Sequence, residues 1–403
     1  MSAMSVLEIP GAKAPSCPYC GNNPVHHRFA YLDSICALFM LKCLRNQNTT
    51  LLRYTERLED YLIRVLIVFF TLVRVASFRS NDAEPISDRS RVVWDEAVLR
   101  GMQIEQMYIF HKATEHFRVR TKKKWHYFMS IPIPPSRSKA ERWIDSKYEL
   151  KRFFEKADVR VARGGKARTH AAALHIFDSI QKPVIVKPEV GSRGRHSLTH
   201  ITTREEFSDA FEIARTLCPS VIIEEHLVGS VYRATYVHGE IVGVLRGDPP
   251  RITGDGVSSI ATLITQKNDT RHERQKTFVP TVSSLEFLSR QGYTPDALLE
   301  VGKTIDLTEK VGLSYGGYAV EEYTQAHPKL LTALTRAGDM LGVPLVGFDF
   351  IIEDITLDPD TVRWGIIEAN SLPFIDLHHF PVEGEPINVA AKVWDMWDAT
   401  KAA

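Results

Sequence analysis

Lys187 closes a short apolar run, Val184 to Val186, and leads into a loop with glycines at 191 and 194. A strand can hold the lysine ammonium in a fixed place, and glycine amides can close over an anion with no Cβ in the way. The arrangement suits a phosphate, although Gly191, Ser192, Arg193 and Gly194 also read as a solvated hairpin turn. Three apolar runs follow: VIIEEHLVG (221–229), VGFDFIIED (346–354) and WGIIEAN (364–370). Glu368 and Asn370 are two apart and so share one face of a strand. A carboxylate among apolar strand residues is costly unless it is paired or binds a metal. Asp349, Glu368 and Asn370 offer the hard oxygen donors that Mg²⁺ prefers, with Mn²⁺ as the alternative.

These stretches resemble an ATP-grasp ligase, and within that superfamily the chain is most similar to the ATP-grasp module of cyanophycin synthetases. The similarity runs over about residues 143 to 398 and includes VIIEEHLVGSVYR, RITGDGVSSIATLI followed by KNDTR, LSYGG at 313–317, and EANSLPFIDLHHFPVEGEPINVA. It implies an α/β (α+β) ATP-grasp fold in which two subdomains clamp ATP. A lysine on the opening helix should reach the phosphates; Lys147 matches that position and Lys151, one turn later, competes with it. Glu224 to Leu227, with Glu225 between them, would be the hinge along adenine, its backbone reading the base edge and Leu227 packing on the ring. Arg233 keeps the family's basic residue, to face a phosphate or the acyl group.

The elements that must position these residues are partly readable. A helix from His170 to Gln181 leads into the Lys187 strand, and TTREEFSDAFEIARTL is amphipathic, with Thr203 as cap and Phe207, Phe211 and Ala214 on one face. The run TYVHGEIVGVLRG turns as a hairpin at His238 to Glu240, and Asp255 between glycines shapes a loop. Upstream, 88–140 reads as a small α/β domain, with a helix at RVVWDEAVLRG and strands at MYIF, HFRVR and KWHYFMSIPIP. Lys122 to Lys124 mark a solvated turn there.

Residues 1–80 form a Cys-containing, helical extension. Cys17 and Cys20 have knuckle spacing and His26 and His27 lie close by, but no second CxxC follows to complete four ligands. Cys36 and Cys43 fall in an apolar helix-like stretch where burial is the simpler role, so zinc at Cys17 and Cys20 is not expected. The apolar run Val65 to Val73 is far shorter than the roughly 20 residues that span a bilayer and reads as a buried or oligomer-forming helix. At 403 residues, 44% hydrophobic, with a formal charge of +1 and five scattered cysteines, the chain reads as a globular protein of a reducing cytoplasm. Neither nucleic acid nor membrane is an expected partner, and the family resemblance suggests a homo-oligomer.

Three positions depart from the family. Where relatives carry a ribose-binding acid this chain has Val231, leaving Ser230 or Glu225 to substitute. Before LSYGG it has Thr308, Glu309 and Lys310 instead of an arginine, so Lys310 or Arg246 must neutralise an acylphosphate. Asp376 replaces an arginine that can hold a substrate carboxylate, and an aspartate there would favour a cationic group; His378 is a second substrate candidate. The resemblance implies amide-bond formation from a small-molecule carboxylate and amine, through an acylphosphate, with ATP and Mg²⁺. No GxxxxGK[ST] loop occurs in these residues, so one kind of amide bond is expected. The rivals are a phosphotransferase on the same nucleotide site and a non-catalytic nucleotide-binding protein.

Overall fold

In the computed structural model the chain is described at residues 17–20, 25–46, 65–67, 69–80, 84–121, 124–134, 138, 140, 143–191 and 195–399. Ser192, Arg193 and Gly194 of the glycine loop, and Lys122 and Lys123, lie outside the described residues.

Alternating apolar residues build the first sheet. Strands β1 (Ala76–Arg79), β2 (Ile104–Ile109), β3 (Lys112–Thr121) and β4 (Lys124–Met129) pair antiparallel in that order. Phe117 and Val119, two apart on β3, are buried against the helix Asp88–Leu99. That core is closed by a helix from the far end of the chain, Val389–Ala399. There Trp394 Nε1 donates to the Val93 carbonyl at 3.0 Å, and Trp397 Nε1 to that of Pro132 at 2.7 Å. The sheet begins at Ala76, inside the segment read from sequence as extension.

Strands β5 (Gly164–Ala167), β6 (Val184–Pro188), β7 (Leu198–Ile201) and β8 (Val221–Glu225) form a second sheet in the order β5-β8-β6-β7. The helices His170–Ser179 and Arg204–Arg215 cover it. Thr203 caps the latter in a full capping box with Glu206, and Phe207, Phe211 and Ala214 are wholly buried, as their spacing predicts.

Strands β9 (Ser230–Val237) and β10 (Glu240–Asp248) open the third sheet. The chain then leaves it for a lobe with its own small core, in which β11 (Arg251–Thr253) pairs with β12 (Thr304–Asp306) beside the helices Ile260–Asp269 and Val282–Arg290. It returns as β13 (Tyr318–Glu321), β14 (Leu345–Ile352) and β15 (Trp364–Asn370), giving the order β13-β10-β9-β14-β15. Every pairing between these strands is antiparallel. Tyr232, Ala234, Tyr236, Phe348 and Phe350 enter a core with the helices Lys147–Lys156 and Pro328–Leu341. The strand period of two therefore sends Arg233 and Asp349 to the opposite face.

The run from Val65 to Val73 does not take the first of its two expected roles, burial within the chain; exposure is compatible with the second, an oligomer-forming helix. It is helical at 65–67 and 69–72, yet Val65, Leu66, Phe69, Phe70, Leu72 and Val73 are all exposed rather than buried. Among the described residues no helix is long and apolar enough to cross a membrane.

Gly338, inside the helix Pro328–Leu341, lies against the third sheet so closely that a Cβ there would sit 2.3 Å from the Tyr236 ring. Alanine normally gains about 1 kcal/mol over glycine in a helix, but forced overpacking costs about 1–3 kcal/mol. Gly338→Ala is therefore expected to lower the thermal unfolding midpoint; calorimetry showing a higher midpoint would contradict this packing.

Candidate active site

Asp349 on β14 lies directly across from Arg233 on β9 and from Glu368 on β15. Direct pairing puts Glu368 on the face of Asp349, and a bulge just beyond shifts the register so that Phe350 meets Ile366. Arg233 grips the Asp349 carboxylate with two bonds, of 2.7 and 2.8 Å. Burial alone would lower the Arg233 guanidinium, but Asp349 beside it holds the pKa above its ordinary value. Asn370 Nδ2 reaches the same carboxylate at 3.3 Å, and Lys147 pairs with Glu368. Burial pushes the Glu368 carboxyl up, yet Lys147, Lys187 and Arg233 bring it below its usual range. The expected trio thus converges on one face, with cations on both sides.

Lys147 is the first residue of its helix, and Lys151 lies one turn on. The structure separates their roles. Lys151 points to Glu224, at 3.3 Å, and Lys187 binds the other oxygen of that carboxylate at 2.8 Å. Glu224 is buried, and its burial is outweighed by Lys187 and Lys151, which hold its carboxyl below the ordinary value. Four cations, Lys147, Lys151, Lys187 and Arg233, thus stand against three carboxylates, Glu224, Glu368 and Asp349, leaving a site that attracts anions. Gly191, at φ 76°, opens the glycine loop beyond β6, and its carbonyl accepts from Arg195 Nη2 at 3.0 Å.

In the hinge segment Glu225, a candidate for the missing ribose acid, is held by the protein itself. One of its oxygens accepts from the Arg163 amide at 2.9 Å and the other binds Arg363 at 2.6 Å, so both are engaged. Leu227 is buried, and Val231 lines the large cavity described next.

A cavity of about 550 Å³ adjoins Asp349 and Arg233, with Arg246, Arg274, Lys276 and Phe374 in its wall. Arg246 borders it with its guanidinium held by Asp248, at 2.9 Å, and by Glu322. Lys310 lines a different, smaller recess with Thr308 and Tyr315, and burial lowers its ammonium. Of these two, Arg246 stands nearer the trio.

Two substrate candidates are corrected. Asp376 is buried and its Oδ2 binds Arg274 at 3.0 Å, so the carboxylate meant to recruit a cationic substrate is engaged inside the protein through that oxygen, while Oδ1 is buried without a partner among the described residues. Burial raises the Asp376 carboxyl even against Arg274. His378 is wholly buried between Glu321, at 2.6 Å from Nδ1, and Thr235, at 2.8 Å from Nε2. It packs under Gly243, where a Cβ would lie 2.5 Å from the ring. Both residues support the wall and do not line the cavity. Arg274 and Lys276 were missed; the only signal was the basic run RHERQK directly after the KNDTR stretch. That stretch has its own use: Lys267 holds the Gly316 carbonyl of LSYGG at 2.7 Å, and Asn268 clamps both backbone groups of Phe278. Asp255 accepts from the Val257 and Ser258 amides, which hold its carboxyl down to about 2, so it shapes a loop as expected.

The architecture aligns with the crystal structure of a bifunctional glutathione synthetase from Pasteurella multocida at a TM-score of 0.58 and 22% identity, over 77% of this chain and 43% of that one. The chain has the ATP-grasp fold. In sequence this ATP-grasp chain is similar to the cyanophycin synthetase of Synechocystis sp., 29% identical over 262 residues, or 61% of this chain and 29% of the relative. It is 32% identical over 222 residues to that of Geminocystis herdmanii, covering 53% and 25%. A glutathione biosynthesis bifunctional protein of Listeria monocytogenes is 25% identical over 358 residues, covering 85% and 45%. The chain therefore spans about a quarter to under half of the length of these curated relatives. No family model matches it.

The ATP-grasp fold implies Mg²⁺, and the donors present fit it. Asp349, Glu368 and Asn370 supply only oxygen ligands from the side chains a hard cation needs, on one face, and their negative charge already draws Arg233 and Lys147.

Two histidines make the fold acid-sensitive. Burial lowers His226, stacked edge-on against His200 at 4.2 Å, to about 4, and also lowers His379 to about 4. Unfolded, each returns to 6.5. Their contribution is complete above that value and is lost as pH falls from it toward 4, because only the unfolded chain takes up protons in that window. His116 is lowered by burial too and adds to the slope. Denaturant unfolding should show stability declining across this window, and the His226→Gln/His379→Gln double variant should show a shallower decline; an unchanged slope contradicts the assignment.

Proposed function

We propose that this chain is an ATP-dependent carboxylate–amine ligase that works through an acylphosphate and releases ADP and phosphate. The observation that carries this reading is the trio Asp349, Glu368 and Asn370 set among Lys147, Lys187 and Arg233 at the edge of a large cavity with a cationic wall. The names of the relatives, cyanophycin synthetase and glutathione biosynthesis protein, support an amino acid or small peptide as substrate.

In this reading Lys147, Lys151, Lys187 and the loop opened by Gly191 hold the triphosphate. Leu227 packs on the adenine, and the hinge backbone reads its edge, since the side chains of Glu224 and Glu225 are spent on cations and an amide. Asp349, Glu368 and Asn370 would hold Mg²⁺, which would supply charge neutralisation at the transferring phosphate. The substrate carboxylate lies in the cavity against Arg274 and Lys276, and its oxygen attacks the γ-phosphorus in line. A new O–P bond forms as the bond to ADP breaks. Arg233, with Arg246 behind it, meets the charge on the acyl phosphate. The amine nitrogen then attacks the acyl carbon, the C–N bond forms, phosphate leaves and the amine gives up a proton to solvent. Pairing of Asp376 with Arg274 keeps the wall suited to a carboxylate, which reverses the preference for a cationic substrate read from sequence.

The test is ADP release from Mg²⁺ and ATP with pooled amino acids and dipeptides, with and without hydroxylamine to trap the acylphosphate. Hydroxamate tied to one carboxylate is expected, and Lys187→Ala should lower ADP formation by about 10²-fold or more. Wild-type turnover in that variant would falsify the site assignment. A second pair of variants separates the roles of Asp376. If it supports Arg274, Asp376→Asn and Arg274→Gln both raise KM for the carboxylate; a change confined to KM for the amine shows that Asp376 meets a cationic group directly.

A further inference from the structure

The knuckle at Cys17 and Cys20, with His27 close by in sequence, lacked a fourth ligand, and the fold brings His196 to it. Cys17, Cys20, His27 and His196 present ligand atoms that all lie within 4.8 Å of one another. His196 comes from the far side of the glycine loop, 176 residues beyond Cys20. Its Nε2 lies 3.4 Å from Cys17 Sγ and 3.5 Å from Cys20 Sγ, and His27 Nε2 lies 3.3 Å from Cys20 Sγ. Zn–S bonds of about 2.3 Å and Zn–N bonds of about 2.0–2.1 Å give a tetrahedron whose sulfur–nitrogen edge is about 3.5 Å. The observed separations match that edge.

We propose that these four residues form a structural zinc site that fastens the N-terminal knuckle to the phosphate loop. Three further observations agree. His196 Nδ1 donates to the Ile213 carbonyl at 2.7 Å and lies 2.8 Å from Thr216 Oγ1, which leaves the Nε2 lone pair aimed at the sulfurs. Two thiols converge on that single lone pair, which a cation between them satisfies and a thiol hydrogen bond does not. Cys20 and His196 are almost fully buried, so their ligand atoms face one another away from solvent. Two thiolates and two imidazoles select zinc over the Mg²⁺ of the oxygen trio.

The site bears on the loop through short links. The His196 amide donates to the Tyr19 carbonyl at 2.9 Å, and Arg195, beside it, holds the Gly191 carbonyl. Zinc would thus fix the downstream end of the loop whose upstream end is fixed by β6. The metal site stands without the ligase reading; only its effect on nucleotide affinity rests on it.

The full chain, purified in reducing buffer without chelator, is analysed by elemental mass spectrometry. About one zinc per chain is expected. Cobalt exchanged into the site should give the intense visible bands of tetrahedral coordination and a thiolate charge-transfer band. Cys20→Ser should fall to background zinc while Cys36→Ser, at an exposed thiol outside the site, retains it. Thr216→Val, which leaves all four ligands in place, should weaken zinc affinity about 10–100-fold and so tests the site where Cys20→Ser unfolds. Zinc removal should weaken ATP binding in calorimetry; unchanged ATP affinity overturns the link to the loop. A chain that binds no zinc, gives no tetrahedral cobalt spectrum and carries a Cys17–Cys20 disulfide overturns the site itself.

Discussion

Asp349 meets Arg233 with both carboxylate oxygens because β9 and β14 are antiparallel neighbours in one fixed register. That register is set on the other face, where Tyr232, Phe348 and Phe350 pack into the main core. A slip of one residue would bury the charges and expose the aromatics, so the hydrophobic face enforces the geometry of the polar one. The Asp349–Glu368 pairing extends the same constraint to β15, and Lys147 and Arg233 then flank the carboxylates from either side. A carboxylate cluster without these cations would be destabilising. The cleft therefore exists because positive side chains from two sheets and a helix N-terminus converge on it, and the same excess of cations suits it to phosphates.

What the sequence made legible is local. Glu368 and Asn370 share a face by their spacing alone, Lys187 follows an apolar run, and the helix after Thr203 follows from its cap and period. What it hid are partners far apart in the chain. Asp376 reads as a free carboxylate until Arg274, 102 residues away, is found against it. His378 reads as a loop histidine until Glu321 and Thr235 enclose it. Lys147 and Lys151 are equivalent in sequence and distinct in space, one on Glu368 and the other on Glu224. The ATP-grasp pattern was readable because its motifs are short runs; charge compensation was not, because it depends on how sheets stack.

That the run at Val65 to Val73 is not buried within the chain has a related reason. Apolar character predicts burial only when another element covers the face, and no sequence period says which element that is. The same limit hid the fourth-ligand question at the knuckle. A CxxC pair announces two ligands by spacing, whereas His196 is delivered by the fold through the positive-φ turn that ends the glycine loop.

The departures from the relatives gain meaning when their neighbours are considered together. Taken singly, Asp376 removes a cation from the substrate wall. Taken with Arg274 it relocates one, since the guanidinium stands in the cavity lining and the aspartate behind it holds the guanidinium in place through a 3.0 Å bond. A buried arginine–aspartate pair positions the charge more rigidly than a lone arginine on a flexible stem, because the bidentate-capable fork is already anchored at one end. Which member of the pair reaches the cavity therefore decides what the wall presents, and here it is the arginine, shared at 3.1 Å with Asp88, which also lines the cavity.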